Sequence, residues 1–132
     1  MANALFPKFK EAILQAAANS SLTGTVKVAL VDTGTYTYSA AHEFLTSLSG
    51  VVGTAQTLGS KTFTNGAFDA ANVTFPTVSG ATAEALVVYI DTGTPSTSRL
   101  VAYIDTGVTG LPVTPNGADI NLTFDAAGIF AL

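Results

Sequence analysis

The 132-residue sequence predicts a mainly β protein: an antiparallel β-sandwich or jelly-roll-like single domain with an N-terminal amphipathic helix and one further short helix. Short runs of β-branched and aromatic residues recur along most of the chain, and turn signals separate them about every ten residues. After residue 50, no segment has the length and periodicity of a helix. A parallel α/β fold is therefore disfavoured, because it needs helices between its strands.

The N-terminal helix is predicted over residues 1–22 and the β-sandwich over 23–132, as one structural unit. Apolar side chains recur at helical spacing in the first segment, and charged ones take the opposite face. Asn3 is a candidate N-cap, and Pro7 lies where the first turn of a helix tolerates proline. The helix can pack on its own sheet or dock on a neighbouring subunit.

The remaining elements follow from β-branched runs and turn signals. Ser39 is a candidate cap for a short helix over Ala40–Leu48. Ala83–Ile90 is nearly all apolar, which predicts a central strand that forms an antiparallel hairpin with Leu100–Ile104. Leu111–Pro115 contains two prolines and is predicted to be a loop or an edge. The predicted strands are Thr25–Val31, Thr35–Tyr38, Val51–Leu58, Lys61–Thr64, Val73–Phe75, Ala83–Ile90, Leu100–Ile104, Ile120–Phe124 and Ile129–Leu132.

The composition limits the possible functions. Only 11% of residues are charged, the net charge is −4, and there is no Cys or Trp. Disulfides and thiolate chemistry are therefore excluded, and a nucleic-acid partner is disfavoured because phosphate binding needs clustered cations. We also predict no signal peptide and no membrane partner, because charged residues interrupt the apolar stretch near the N-terminus and no run is long enough to cross a bilayer.

Asp-Thr-Gly, which occurs three times, is the one motif associated with catalysis, since aspartic proteases use it to place a catalytic carboxylate. Three copies fit neither a one-copy dimer nor a two-copy monomer. None is followed by Ala, as that active site would require. We interpret all three, beginning at Asp32, Asp91 and Asp105, as strand-ending turns in which Asp and Gly take the special turn positions.

Other chemistry would depend on very few groups. His42 is the only histidine, and the sequence has no Gly-x-Ser-x-Gly motif, so a surface or capping role is favoured over catalysis. A Ca²⁺ site would require strand-end aspartates to converge, although their spacing matches no known metal-binding pattern. We therefore predict no catalytic, cofactor-binding or metal-binding residues. The aspartates considered are Asp32, Asp91, Asp105, Asp119 and Asp125.

The aromatic residues are interpreted mainly as core. Four phenylalanines fall where a sandwich would bury them. Tyr36 and Tyr38 share one face of a short predicted strand and are expected to face outward, where they could bind a partner or a sugar. The four phenylalanines are Phe63, Phe68, Phe75 and Phe124.

Two segments resemble a family of small virion proteins of tailed bacteriophages: VKVALVDTGTYTYSAAHEFL near the start and LVAYIDTGVTGLPVTPNGADI near the end. The resemblance extends from about Thr25 to Leu132. Its most specific parts are Ala-His-Glu-Phe-Leu and Leu-Pro-Val-Thr-Pro-Asn-Gly. The closing strand differs from the family pattern, because Phe124 stands before Asp125 where a Trp is expected.

This resemblance implies a structural virion protein without enzymatic activity, a capsid cement or decoration subunit made in the host cytoplasm and located in the virion. It implies the major capsid protein and further copies of the protein itself as partners, and no cofactor. Three alternatives remain open: a head–tail connector, a tail or fibre-associated subunit, and a receptor- or glycan-binding module.

Overall fold

The architecture is mainly β, as predicted, and a computed structural model describes it for residues 3–132. A five-stranded antiparallel sheet with the strand order β1-β7-β6-β2-β3 forms the centre, and β4-β9 and β5-β8 form two-stranded ladders. Along the sequence the elements are β1 (Ala4–Leu5), α1 (Pro7–Leu14), β2 (Val26–Val31), β3 (Val51–Thr57), β4 (Ala67–Phe68), β5 (Val73–Phe75), β6 (Ala85–Ile90), β7 (Leu100–Ile104), β8 (Ile120–Leu122) and β9 (Phe130–Ala131).

Strands β6 and β7 form the antiparallel hairpin that the sequence predicts. Leu86 pairs with Ile104 and Val87 with Tyr103, and a register shift follows at Tyr89. Every residue of both strands is buried. Because successive side chains of a strand point to opposite faces, complete burial means that both faces of the sheet are covered.

The N-terminal segment differs from the prediction of a helix over residues 1–22. Ala4 and Leu5 are extended, because their backbone pairs with β7 opposite Tyr103 and Ala102. The helix is confined to Pro7–Leu14, where Pro7 occupies a first-turn position that needs no N–H donor. Residues 1 and 2 of the predicted helix lie outside the described residues.

Helix α1 packs on the sheet of its own chain. It lies against β7, and its Phe9 and Ala12 side chains are buried. Leu14, at the end of the helix, is 87% exposed. The helix thus packs on its own sheet, which is the first of the two options.

The predicted short helix over Ala40–Leu48 is wrong. The only helical turn in this range is a 3₁₀ turn of three residues, Leu45–Ser47. The preceding backbone pairs with the start of β7 instead: Leu100 N donates to Glu43 O at 2.9 Å, and Leu45 N donates to Ser98 O at 2.8 Å. Pairing with a distant strand therefore overrides the local helical pattern.

Two predicted strands are also absent from the described residues. Thr35 and Tyr36 both donate backbone N–H groups to Asp32 O, which places Thr35 in a turn, and residues 36–38 are irregular. Lys61–Thr64 contains only an isolated bridge between Thr62 and Asp69. The other strand predictions are confirmed, with boundaries within two residues of the observed ones.

No helix within residues 3–132 is both long enough and apolar enough to cross a membrane.

Candidate interaction surfaces

The first two Asp-Thr-Gly segments are turns closed by their own aspartates. Asp32 Oδ1 accepts the backbone N–H of Gly34 at 2.9 Å, and Asp91 Oδ1 accepts that of Gly93 at 3.1 Å. The bond from Gly93, assisted by Lys27, lowers the pKa of the Asp91 carboxyl. The turn interpretation is therefore confirmed at both positions, because each carboxylate satisfies backbone donors two residues ahead.

The third Asp-Thr-Gly turn is held by the N-terminal segment. Asn3 Oδ1 accepts the backbone N–H groups of Asp105 at 2.6 Å and Thr106 at 2.9 Å, and Asn3 Nδ2 donates to Thr106 O at 2.9 Å. Asn3 is thus a turn-binding residue and not the predicted helix N-cap, a position that Phe6 occupies. Sequence spacing could not show this, because the contact spans about a hundred residues.

The strand-end aspartates do not assemble into a metal site within the part of the chain that the structure describes, where no three His, Asp or Glu side chains could hold a metal ion together. The two remaining aspartates make local or ladder contacts. Asp119 Oδ1 accepts Thr77 N at 3.0 Å, and Asp125 Oδ1 accepts Ala127 N at 2.8 Å.

The single histidine is paired with a buried tyrosine. His42 Nδ1 and the Tyr36 hydroxyl lie 2.8 Å apart, and the two rings are tilted against each other. Tyr36 is 2% exposed, and burial raises its pKa to about 12. His42 is therefore part of a packing contact, with a phenol on Nδ1, the ring nitrogen that a catalytic triad pairs with a carboxylate.

A shallow groove beside this pair is lined partly by tyrosines. Tyr38 is half-buried, whereas Tyr36 and Tyr103 are buried, and the Tyr103 ring packs against the rings of both. The expectation that Tyr36 faces outward is therefore wrong. Sugar stacking needs an exposed ring face, which the buried Tyr36 does not offer. The groove is lined by Thr33, Tyr36, Thr37, Tyr38, Glu84, Tyr103, Asp105 and Pro112.

Three of the four phenylalanines assigned to the core are buried: Phe68, Phe75 and Phe124. Phe63 is 45% exposed and lies over Phe68 at a centroid distance of 5.7 Å. Phe63 belongs to the 3₁₀ turn region before β4 and not to a strand, which explains its exposure.

Strand β3 is the outer strand of the central sheet, and within residues 3–132 its only strand partner is β2. Leu58 N donates to Val26 O of β2 at 2.8 Å, and the neighbouring residue Thr57 is exposed. Because consecutive N–H groups of a strand point to opposite sides, the N–H of Thr57 points away from β2. The protein thus has an exposed edge at the end of its longest strand.

The chain segment that forms this edge carries no charged side chain. From Phe44 to Ser60 the sequence contains no charged residue. Three cationic side chains form ion pairs with acidic side chains, and Lys61 Nζ donates to the backbone carbonyls of Leu22 and Gly24. The ion pairs are Lys8–Glu11 at 2.9 Å, Lys27–Asp91 at 3.3 Å and Arg99–Glu43 at 3.0 Å.

In comparisons with known proteins, no family model matches the sequence and no curated protein matches it significantly. The relationship to bacteriophage virion proteins stays a prediction, which rests on the two sequence segments that resemble that family.

Proposed function

We propose that this protein is a structural virion subunit, a capsid cement or decoration protein that binds the outer surface of a capsid in many copies and reinforces contacts between capsomers. The role is non-enzymatic, and the partners are the major capsid protein and other copies of the protein itself. The observation that carries the proposal on the structural side is the uncharged outer edge of β3, in a sheet whose β6-β7 hairpin is fully buried.

An uncharged edge suits assembly for an energetic reason. Burying a charged side chain at an interface carries a desolvation cost, whereas threonine and backbone groups can be satisfied by hydrogen bonds to a neighbour. Isolated edge strands usually carry charges or prolines that prevent unwanted pairing. Strand β3, with the sequence VVGTAQT, has neither. The edge is therefore suited to a contact that forms on the particle.

A bulge in β3 limits where a partner strand could pair with this edge. Between the pairs Val28–Gln56 and Leu30–Val52, β3 contains two more residues than β2 does, so a bulge interrupts the ladder. Gly53 in this bulge has φ +72°. A bulge increases twist and breaks continuous pairing. A partner strand would therefore pair with the end at Thr57 and not with the whole of β3.

The experiment that tests this proposal removes the backbone N–H of Thr57, which points away from β2. Thr57→Pro deletes the N–H, whereas Thr57→Val keeps it and removes only the hydroxyl. Purified full-length variants are mixed with particles that lack the protein, and particle-bound protein is measured after sedimentation. We expect Thr57→Val to bind as the wild type does and Thr57→Pro to bind roughly tenfold more weakly, because an edge hydrogen bond is lost and the ring clashes with a pairing strand.

Circular dichroism and the unfolding midpoint establish that both variants are folded. Wild-type binding by a folded Thr57→Pro variant would exclude the β3 edge as the contact. Failure of the wild-type protein itself to bind such particles would contradict the decoration role.

A further inference from the structure

Two Asn-Gly dipeptides, Asn65-Gly66 and Asn116-Gly117, lie in exposed turns, and the structure holds them differently. Asn-Gly is prone to spontaneous deamidation, because glycine has no side chain to shield the backbone nitrogen that attacks the preceding amide. We infer that Asn65 is a deamidation site in the folded protein while Asn116 is protected, and that conversion of Asn65 loosens strand β9. This inference is independent of the proposed virion role.

The reaction needs only water. The backbone nitrogen of Gly66 attacks Cγ of Asn65, a new bond forms between these two atoms, and the bond from Cγ to the amide nitrogen Nδ2 breaks. Ammonia leaves with the proton that the Gly66 nitrogen gives up, and a cyclic imide remains. Water then opens the imide at either carbonyl, which yields aspartate or isoaspartate and adds one negative charge.

At Asn116 both reacting groups are engaged. Asn116 Oδ1 accepts the backbone N–H of Ala118 at 3.1 Å, which fixes the Asn116 amide in an Asx turn. The nucleophile, Gly117 N, donates to Val78 O at 2.7 Å. Ring closure would require both bonds to break, and one of them joins two distant segments.

Asn65 is held much less firmly. Within residues 3–132, no hydrogen bond engages its side-chain amide, and the residue is exposed with φ 55° and ψ 31°. Gly66 N donates only to Phe63 O, at 3.2 Å and within a single 3₁₀ turn. Opening this one local bond frees the nucleophile. Local openings of this kind cost little compared with those that separate strands.

The same turn anchors the C-terminal strand. Gly66 O accepts Leu132 N at 3.0 Å, immediately beside the two-residue ladder in which Phe68 pairs with Phe130. An isoaspartate at position 65 lengthens the backbone just before Gly66 and displaces this carbonyl. Because β9 is held by so short a ladder, we expect its backbone amides to lose protection when Asn65 converts.

Selective conversion can be measured on the intact protein. The purified protein is aged in mildly alkaline buffer containing heavy-oxygen water, digested and analysed by mass spectrometry, which identifies each converted asparagine by its incorporated oxygen. We expect Asn65 to convert roughly tenfold faster than Asn116 in the native protein, and the two rates to converge in denaturant, where the turns are lost. Equal native rates, or a faster reaction at Asn116, would overturn the inference.

Matched variants test the consequence for β9. Asn65→Gln and Asn116→Gln each remove one reactive asparagine, since glutamine closes the corresponding ring far more slowly. After ageing, hydrogen exchange at residues 129–132 should increase in the wild type and in Asn116→Gln but not in Asn65→Gln. Unchanged exchange in a fully converted wild-type sample would refute the coupling between Asn65 and β9.

Discussion

Arg99 donates from Nη1 to Oε2 of Glu43 at 3.0 Å while its own side chain is almost entirely buried. Its Nη2 donates to Ala18 O at 2.9 Å, and its guanidinium lies 5.0 Å from the centre of the Phe44 ring. A buried cation is tolerated when a carboxylate, a carbonyl and an aromatic face surround it. Arg99 therefore ties the segment after α1 and the segment around Phe44 to the start of β7.

Replacing Arg99 should cost more stability than replacing its partner. We expect Arg99→Met to lower the free energy of unfolding by ~2–4 kcal/mol, because it removes two hydrogen bonds and the packing of a buried side chain. Glu43→Gln should cost ~0.5–1.5 kcal/mol, since Glu43 is partly exposed and an amide oxygen can still accept from Arg99. Urea unfolding of both variants measures the difference, and equal losses would contradict this role of Arg99.

Gly110 lies where no larger residue fits. Its φ is +111°, and a Cβ at this position would lie 2.7 Å from Leu122 Cδ2 and 3.0 Å from Asn121 O. We expect Gly110→Ala to destabilise the protein by ~2–4 kcal/mol, through backbone strain and displacement of β8. Gly59→Ala is the matched control, because no atom lies within 4 Å of the added Cβ. That control should change stability by less than ~0.5 kcal/mol, and similar midpoints for the two variants would show that β8 can move aside.

Alkaline pH should destabilise the fold through Tyr36. Burial raises its pKa from 10.0 to about 12, so the native state keeps a proton that the unfolded state releases. Stability is therefore unaffected by this group below pH ~10 and falls as the pH rises from ~10 towards ~12. The loss attributable to Tyr36 is at most ~2–3 kcal/mol.

Thermal unfolding of wild type and Tyr36→Phe across that range checks this expectation. The variant should lose less stability between the two pH limits, although some dependence remains, since burial also raises the pKa of Tyr38, Tyr89 and Tyr103. Parallel pH profiles for both proteins would show that Tyr36 ionises as freely in the native state as in the unfolded state.

Elements with a strong local pattern could be predicted from the sequence. Val73–Phe75 and Leu100–Ile104 have the predicted boundaries, and the β6-β7 hairpin follows from two apolar runs separated by turn residues. The aspartates of the first two Asp-Thr-Gly turns also act as predicted, because an Asx turn depends on residues only two positions apart.

The errors arise where distant segments determine the structure. Ala4 and Leu5 have a helical pattern, yet pairing with β7 makes them a strand. The same applies to the backbone at Glu43 and Leu45, which bonds to the start of β7. Burial of Tyr36 likewise depends on ring contacts with His42 and Tyr103. The alternating pattern of residues 35–38 does not show these contacts. No local signal could have indicated the unpaired edge of β3, since the strand order must be known first.

The copy number of this protein in purified virus particles tests the proposed function most directly. Quantitative mass spectrometry, calibrated against the major capsid protein, measures that number. A decoration subunit predicts hundreds of copies per particle, because one or more bind at every capsomer. A count of about six or twelve would indicate a ring-shaped connector or tail component. Either that result or the absence of the protein from the particle would contradict the decoration role.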